Sequence, residues 1–144
     1  MDAGQTILLE GLLRAQDRDN EVVGYAQIQR HAEHVIDWAS RLTNPVLMPV
    51  GDAAQRLLGA VSLMAQGSID IPVWTDRLDG RDVLLVGTVV ASLIEFEAAA
   101  INARRRGATH IHGCAIEVAG HTSSSMLDSF TLLGQSSLRA RRSA

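Results

Sequence analysis

Four consecutive apolar residues, Val83-Leu84-Leu85-Val86, constrain this chain more than any other feature, because Gly87 follows them and a helical run from Phe96 to Arg106, closed by Gly107-Ala108, comes soon after. A short continuous apolar run suits a strand covered on both faces, and strand, turn and helix in that order form the unit of an α/β sheet. Thr109 to Val118 supplies a strand after the helix. Strands separated by helices of roughly 12 to 15 residues imply right-handed crossovers and a mostly parallel sheet with helices on both faces.

The rest of the chain fits around that unit. Residues 5–16 place Ile7, Leu8, Leu12 and Leu13 at helical spacing, and Gln27 to Leu42 repeats the pattern with Ile28, Val35, Ile36, Trp38, Ala39 and Leu42. Thr43-Asn44-Pro45 ends that helix and starts a buried strand, Val46-Leu47-Met48-Pro49-Val50. Gly51-Asp52 turns into a helix over about Ala53 to Gln66, with Asp52 a good N-cap. Ile71-Pro72-Val73-Trp74-Thr75 reads as a second strand, which Pro72 puts near an edge. A charged turn, Asp76 to Asp82, precedes the third strand at 83–87 and the helix at 92–106, and a further helix is expected around Ser125 to Leu133. This divides the chain into an N-terminal helical segment (1–44) packed on an α/β core (45–120), and a Ser-rich tail with a basic end (121–144).

A chain of 144 residues, 47% hydrophobic, can bury one core without staples, and its net charge of −3 gives no reason to expect nucleic acid or an anionic membrane as partner. All 13 basic residues are arginine, as codon bias in a GC-rich genome produces, so no ammonium is available for a Schiff base or catalytic point charge. The single Cys114 fits a reducing, cytoplasmic setting, and neither a signal peptide nor a membrane span is visible.

The succession of strand, Gly-containing loop, helix, strand, acidic turn, Val-Leu-Leu-Val strand, loop and helix ending Arg-Arg-Gly-Ala resembles the core of the type I phosphoribosyltransferases, the orotate enzymes most of all, over about residues 45–118. Val50-Gly51-Asp52-Ala53-Ala54 is similar to that family's pyrophosphate loop, and 83–95 to its phosphoribosyl pyrophosphate motif. The resemblance implies a Mg²⁺-dependent transferase whose two motif carboxylates hold the ribose hydroxyls, and commonly a dimer. Gly87 and Thr88 stand where those carboxylates belong, and Val89-Val90-Ala91-Ser92-Leu93-Ile94-Glu95 replaces the small, hydroxyl-rich phosphate loop. Ser92 and Glu95 have the spacing of a capping box, which would satisfy the helix N–H groups internally. The lysine- and histidine-bearing mobile loop that the resemblance implies is replaced by the short turn Asp76 to Asp82.

Other groups have chemistry of their own. His110, His112 and Cys114 alternate along a strand and project from one face, with His121 a few residues later, so they are metal-competent candidates. The more ordinary reading of them is a hydrogen-bonded core. His31 and His34 flank Glu33 without the spacing of H-E-x-x-H, which suits a solvated or interface helix face. Ser123-Ser124-Ser125, His121 and Asp128 hold the atoms of a hydrolytic triad but no nucleophile elbow. Arg104-Arg105-Arg106 fits the C-terminal dipole of a helix.

The expectation is a catalytically degenerate phosphoribosyltransferase-like protein, without cofactor, acting as a binding, regulatory or assembly subunit. Two alternatives stand beside it: a divergent transferase using phosphoribosyl pyrophosphate and Mg²⁺ with Asp76, Asp79 or Asp82 as its acids, and an adaptor docking through Leu132 to Arg139. A homo-oligomer is expected, with a further protein partner open, and the helices at 5–16 and 26–42 as its contributors.

Overall fold

The computed structural model describes residues 24–72, 76–120 and 124–133. The expected helix at 5–16, Val73-Trp74-Thr75, His121 to Ser123 and the tail beyond Leu133 lie outside the described residues. Helix α1 (Tyr25–Ala39) is followed by β1 (Val46–Pro49), α2 (Asp52–Met64), β2 (Asp82–Val86), β3 (Val89–Val90), α3 (Ile94–Arg105), β4 (His110–Ala115), β5 (Glu117–Val118) and β6 (Ser129–Leu132). The main sheet runs β1-β2-β4-β6 and every pairing in it is parallel; β3 and β5 form a second, two-stranded parallel sheet.

Alternation along the strands divides the core into two layers. Leu47, Leu84, Val86 and Cys114 point to one face, where they meet Ala32, Val35 and Ala39 of α1 and Ala53, Leu57, Leu58 and Val61 of α2. Val46, Met48, Val83, Leu85, Ile111 and Ala115 point to the other, against Phe96, Ala100 and Ala103 of α3. Each helix contributes residues spaced three or four apart, so one stripe of each is buried. With helices on both faces, β2 keeps no polar side, and all five of its residues are buried.

The direction of winding reverses at β1 and β2. From β1 the chain passes through α2 to Asp70, which bridges Val46 in parallel on the side of β1 away from β2. It then returns to β2, and α3 carries it onward to β4 across the opposite face. Immediately before the strand expected at 71–75, Asp70 bridges the edge of β1, with Leu47 N–H on Asp70 O at 3.0 Å; among the described residues Ile71 and Pro72 add no further bridge, and proline has no N–H for a ladder.

Two further expectations change. Residues 125–132 do not form a helix: a turn at 125–126 leads into strand β6, in register with β4 from His112↔Ser129 to Ala115↔Leu132. Ser-Phe-Thr-Leu favours extended structure, and the open edge of β4 offers unpaired backbone groups that a helix there would leave unsatisfied. The strand expected at 109–118 is broken at Ile116 into β4 and β5, because Ile116 and Glu117 turn their N–H groups to Thr88 O, at 3.1 and 3.0 Å.

Candidate functional site

In an open parallel sheet, the crevice that takes ligands lies beyond the carboxyl ends of the strands, where winding direction reverses. Here that point falls between the loops after β1 and β2. The first is Val50-Gly51-Asp52 and the second runs from Gly87 to Leu93. Val50 N–H donates to Val86 O at 2.8 Å and Gly87 N–H to Cys114 O at 2.9 Å, which ties both loops to the sheet.

Gly51 has φ +97°, a conformation that a side chain would strain, and open space surrounds its missing Cβ. It is Gly51, rather than the expected Asp52, that occupies the N-cap of α2, and no side chain caps that helix. Asp52 is the exposed first residue of the helix, whereas Ala53 and Ala54 are buried beneath it.

The second loop is packed rather than open at its start. A Cβ on Gly87 would lie 2.7 Å from Phe96 Cζ and 2.9 Å from Val90 Cγ2, so a side chain here fits only if those packed groups shift. Thr88 is 3% exposed, and its carbonyl receives the N–H groups of Ile116 and Glu117. Val89 and Val90 then form β3 against β5, with Ala119 N–H on Val90 O at 2.9 Å. After β2 the chain thus adds a short strand, with only Ala91 and Ser92 exposed before Leu93 re-enters the core. Gly87 and Thr88, which the resemblance sets in the carboxylate positions, present no side-chain carboxylate at this loop.

The capping box does not form. Leu93 is the N-cap of α3, without a side-chain cap; Ser92 Oγ accepts only a long contact, 3.4 Å, from Ile94 N–H, and Glu95 stands exposed. The helix starts two residues later than expected because burying Leu93 rotates the chain into α3 at Ile94.

The acidic turn lies at the other end of the molecule. Asp82 opens β2, five residues and about 16 Å from Gly87 along a strand. Leu78 is fully buried and its N–H donates to Arg106 O at 2.8 Å, while Arg106 Nε donates to Asp76 O at 2.6 Å. Arg77 and Asp79 form an exposed ion pair at 3.0 Å, and the Asp79 carboxylate lies where any side chain on Gly107 would project. The Asp76 carbonyl thus ties the turn to the end of α3, the Asp79 carboxylate pairs with Arg77, and Asp82 Oδ2 accepts from Thr43 N–H at 2.9 Å, all at the amino end of the sheet and away from the crevice.

His110, His112 and Cys114 do share one face, as the alternation predicts, but each has a structural partner or is sealed off. His110 Nδ1 is 3.0 Å from Asp82 Oδ1, and His112 Nδ1 is 2.7 Å from Ser129 Oγ. The His112 ring packs near Trp38, over which Arg41 lies 5.6 Å from the ring centroid. The Cys114 thiol is fully buried, and that burial pushes its pKa far up, so it stays protonated and inert. Among the described residues no three His, Cys, Asp or Glu side chains gather closely enough to hold a metal, His31 and His34 included. Of the triad candidates, His121 and Ser123 lie outside the described residues; Ser124 Oγ donates to Glu97 Oε1 at 2.9 Å, and Asp128 Oδ2 accepts from Ile111 N–H at 2.7 Å. Phe96, the residue that fills position 87, carried no chemical signal in the sequence; only its helical phase, four and seven residues before Ala100 and Ala103, marks it as inward-facing.

No protein-family model matches the sequence, and no curated protein is similar to it at a significant level. Solved structures are similar in shape. The purine phosphoribosyltransferase from Pyrococcus horikoshii Ot3 superposes with a TM-score of 0.50 at 14% identity, covering 75% of this chain and 83% of its own. An HGPRT-ase from Leishmania tarentolae in complex with GMP gives 0.47 at 14% identity over 74% and 78% of the two chains. No helix among the described residues is long and apolar enough to cross a membrane. The mostly parallel, helix-flanked sheet of this chain is the α/β fold of the purine phosphoribosyltransferase from Pyrococcus horikoshii.

Proposed function

We propose that this protein keeps the phosphoribosyltransferase fold without its transfer chemistry and works by binding, as a regulatory or assembly subunit. The observation that carries this reading is the packing at Gly87. A motif carboxylate at that position would have to occupy the volume of the Phe96 ring and Val90 Cγ2. Loss of an acid alone could be repaired by a neighbour, but restoring the space around it requires the packed Phe96 ring and Val90 side chain to shift. The divergent-enzyme reading is weaker, since Asp76, Asp79 and Asp82 face the amino end of the sheet, opposite the crevice.

Titration of phosphoribosyl pyrophosphate with Mg²⁺ into the full chain in a calorimeter tests this. The expected result is no binding tighter than about 1 mM, equivalent to about −4 kcal/mol, and no transfer to orotate or a purine base. Micromolar binding, or turnover abolished by Asp76→Asn or Asp79→Asn, overturns the proposal.

A further inference from the structure

At the amino end of the sheet, one histidine has chemistry that neither the crevice nor the core uses. Asp82 and His110 stand directly across from each other in the register of β2 and β4, and His110 Nδ1 lies 3.0 Å from Asp82 Oδ1. The Asp82 side chain is only 12% exposed, whereas that of His110 is 57% exposed. Strand β6 pairs with β4 from His112 onward, so no strand flanks His110 on that side. The other carboxylate oxygen, Asp82 Oδ2, accepts from Thr43 N–H at 2.9 Å, which holds the acid in place.

These contacts assign the proton on the ring. Burial opposes ionisation of Asp82, but the Thr43 N–H and the adjacent His110 and His112 outweigh it and keep the carboxylate ionised at neutral pH. An ionised carboxylate can only accept, so His110 Nδ1 is the nitrogen that carries hydrogen. Nε2, at the far corner of the ring, then keeps its lone pair, and no group among the described residues bonds to it. A buried aspartate on Nδ1 is the arrangement that holds an imidazole in its nucleophilic tautomer and stabilises the cation formed when Nε2 reacts. His112 lacks it. Its Nδ1 meets a hydroxyl, Ser129 Oγ, which donates or accepts equally well, and its ring is half-buried between His110 and Trp38.

From this geometry we infer that His110 is a phosphoryl-acceptor site, its Nε2 taking the phosphoryl group of an acyl phosphate. The Nε2 lone pair attacks phosphorus, the bond from phosphorus to the acyl oxygen breaks, and the carboxylate of the donor leaves with the electron pair. The Nδ1 hydrogen stays on the ring, and Asp82 offsets the positive charge that the ring gains. An exposed nitrogen at the opposite end of the sheet from the crevice suits a group that is marked rather than a centre that turns substrate over. A phosphoryl group persists on imidazole, whereas an acyl group is soon lost to water. The site is independent of whether the crevice binds anything.

Incubation of the nitrogen-labelled full chain with acetyl phosphate, followed by phosphorus and proton–nitrogen NMR, tests this. Before the donor is added, His110 is expected to carry hydrogen on Nδ1 and none on Nε2. With the donor, the phosphoryl group is expected on His110 Nε2, at least tenfold faster than on His112, and absent from that position in His110→Gln. Asp82→Asn, whose single carbonyl oxygen cannot accept from both Thr43 and His110, should slow the reaction at His110 at least tenfold and leave His31 and His34 unchanged. Should that variant not fold, the tautomer and the wild-type rates decide the matter. Hydrogen on His110 Nε2, phosphorylation at Nδ1, or a His110 rate no higher than that of His112 overturns the inference, as does a folded Asp82→Asn variant that reacts like wild type.

Discussion

The ring of Phe96 lies so close to Gly87 that Gly87→Asp, the change that would place an acid at that position, must displace the Phe96 ring and Val90 side chain from their packing. Overpacking of this kind costs about 1–3 kcal/mol, before the cost of burying the charge is added. The variant is expected to melt well below wild type and to gain no affinity for phosphoribosyl pyrophosphate; a stable variant that binds it would show that the crevice needs only the acid. Asp82 is a second residue whose role is measurable. Burial raises its pKa, but the Thr43 N–H and the adjacent His110 and His112 together outweigh that and hold it below the ordinary 3.8. A folded pKa below the unfolded one means that the carboxylate stabilises the protein above the unfolded value and that this contribution disappears as pH falls through the folded value. Urea titrations should therefore show wild-type stability declining below about pH 3.8, the unfolded reference. Asp82→Asn should be less stable at neutral pH and flatter in acid, and equal acid slopes for the two proteins would remove Asp82 as the cause.

At the scale of elements, the turn between Asp76 and Asp82 shows how little its charges decide. Its composition suggests a solvated loop, yet Leu78 is fully buried at its centre and is bonded to the last turn of α3. Leu78→Ala should cost about 2–5 kcal/mol, as buried leucine truncations do. Arg77→Ala, which breaks an ion pair with both side chains more than half exposed, should cost under about 1 kcal/mol. Denaturant midpoints of the two variants measure the difference, and equal losses would mean that the ion pair, not the leucine, anchors the loop. The turn at 124–128 behaves similarly, since its Ser, Met and Asp residues look like tail sequence but fasten α3 to the entry of β6.

For the molecule as a whole, one sheet carries two apolar layers, so neither layer can be lost without exposing the other side of the same strands. Leu84 faces α1 and α2, and its neighbour Leu85 faces α3. Leu84→Ala and Leu85→Ala should each lower stability by about 2–5 kcal/mol and shift one common transition, whether followed by tryptophan fluorescence or far-ultraviolet circular dichroism. Separated transitions for either variant would mean that the two layers unfold independently.

Hydrophobic period and chain-breaking residues were sufficient for the α/β class, for β1 and β2, for the three helices to within a few residues, and for the edge position of the segment after α2. These are properties that neighbouring residues impose on one another: a buried run, an alternating face, a proline without an N–H. Positions 87 and 88 could be read as lacking acids, since that needs only the identity of two residues. Three things were decided by tertiary contact. Residues 129–132 became a strand because β4 had an open edge to complete, a partner that their position in the sequence does not reveal. Ser92 and Glu95 had capping-box spacing, but the box lost to burial of Leu93, which moved the start of α3. Gly87 could be seen to lack a carboxylate but not to lack the room for one, because Phe96 reaches it only after α3 has folded back across the sheet. Distance along the chain carries no information about such contacts, since packing, rather than sequence neighbourhood, sets which side chain fills which space.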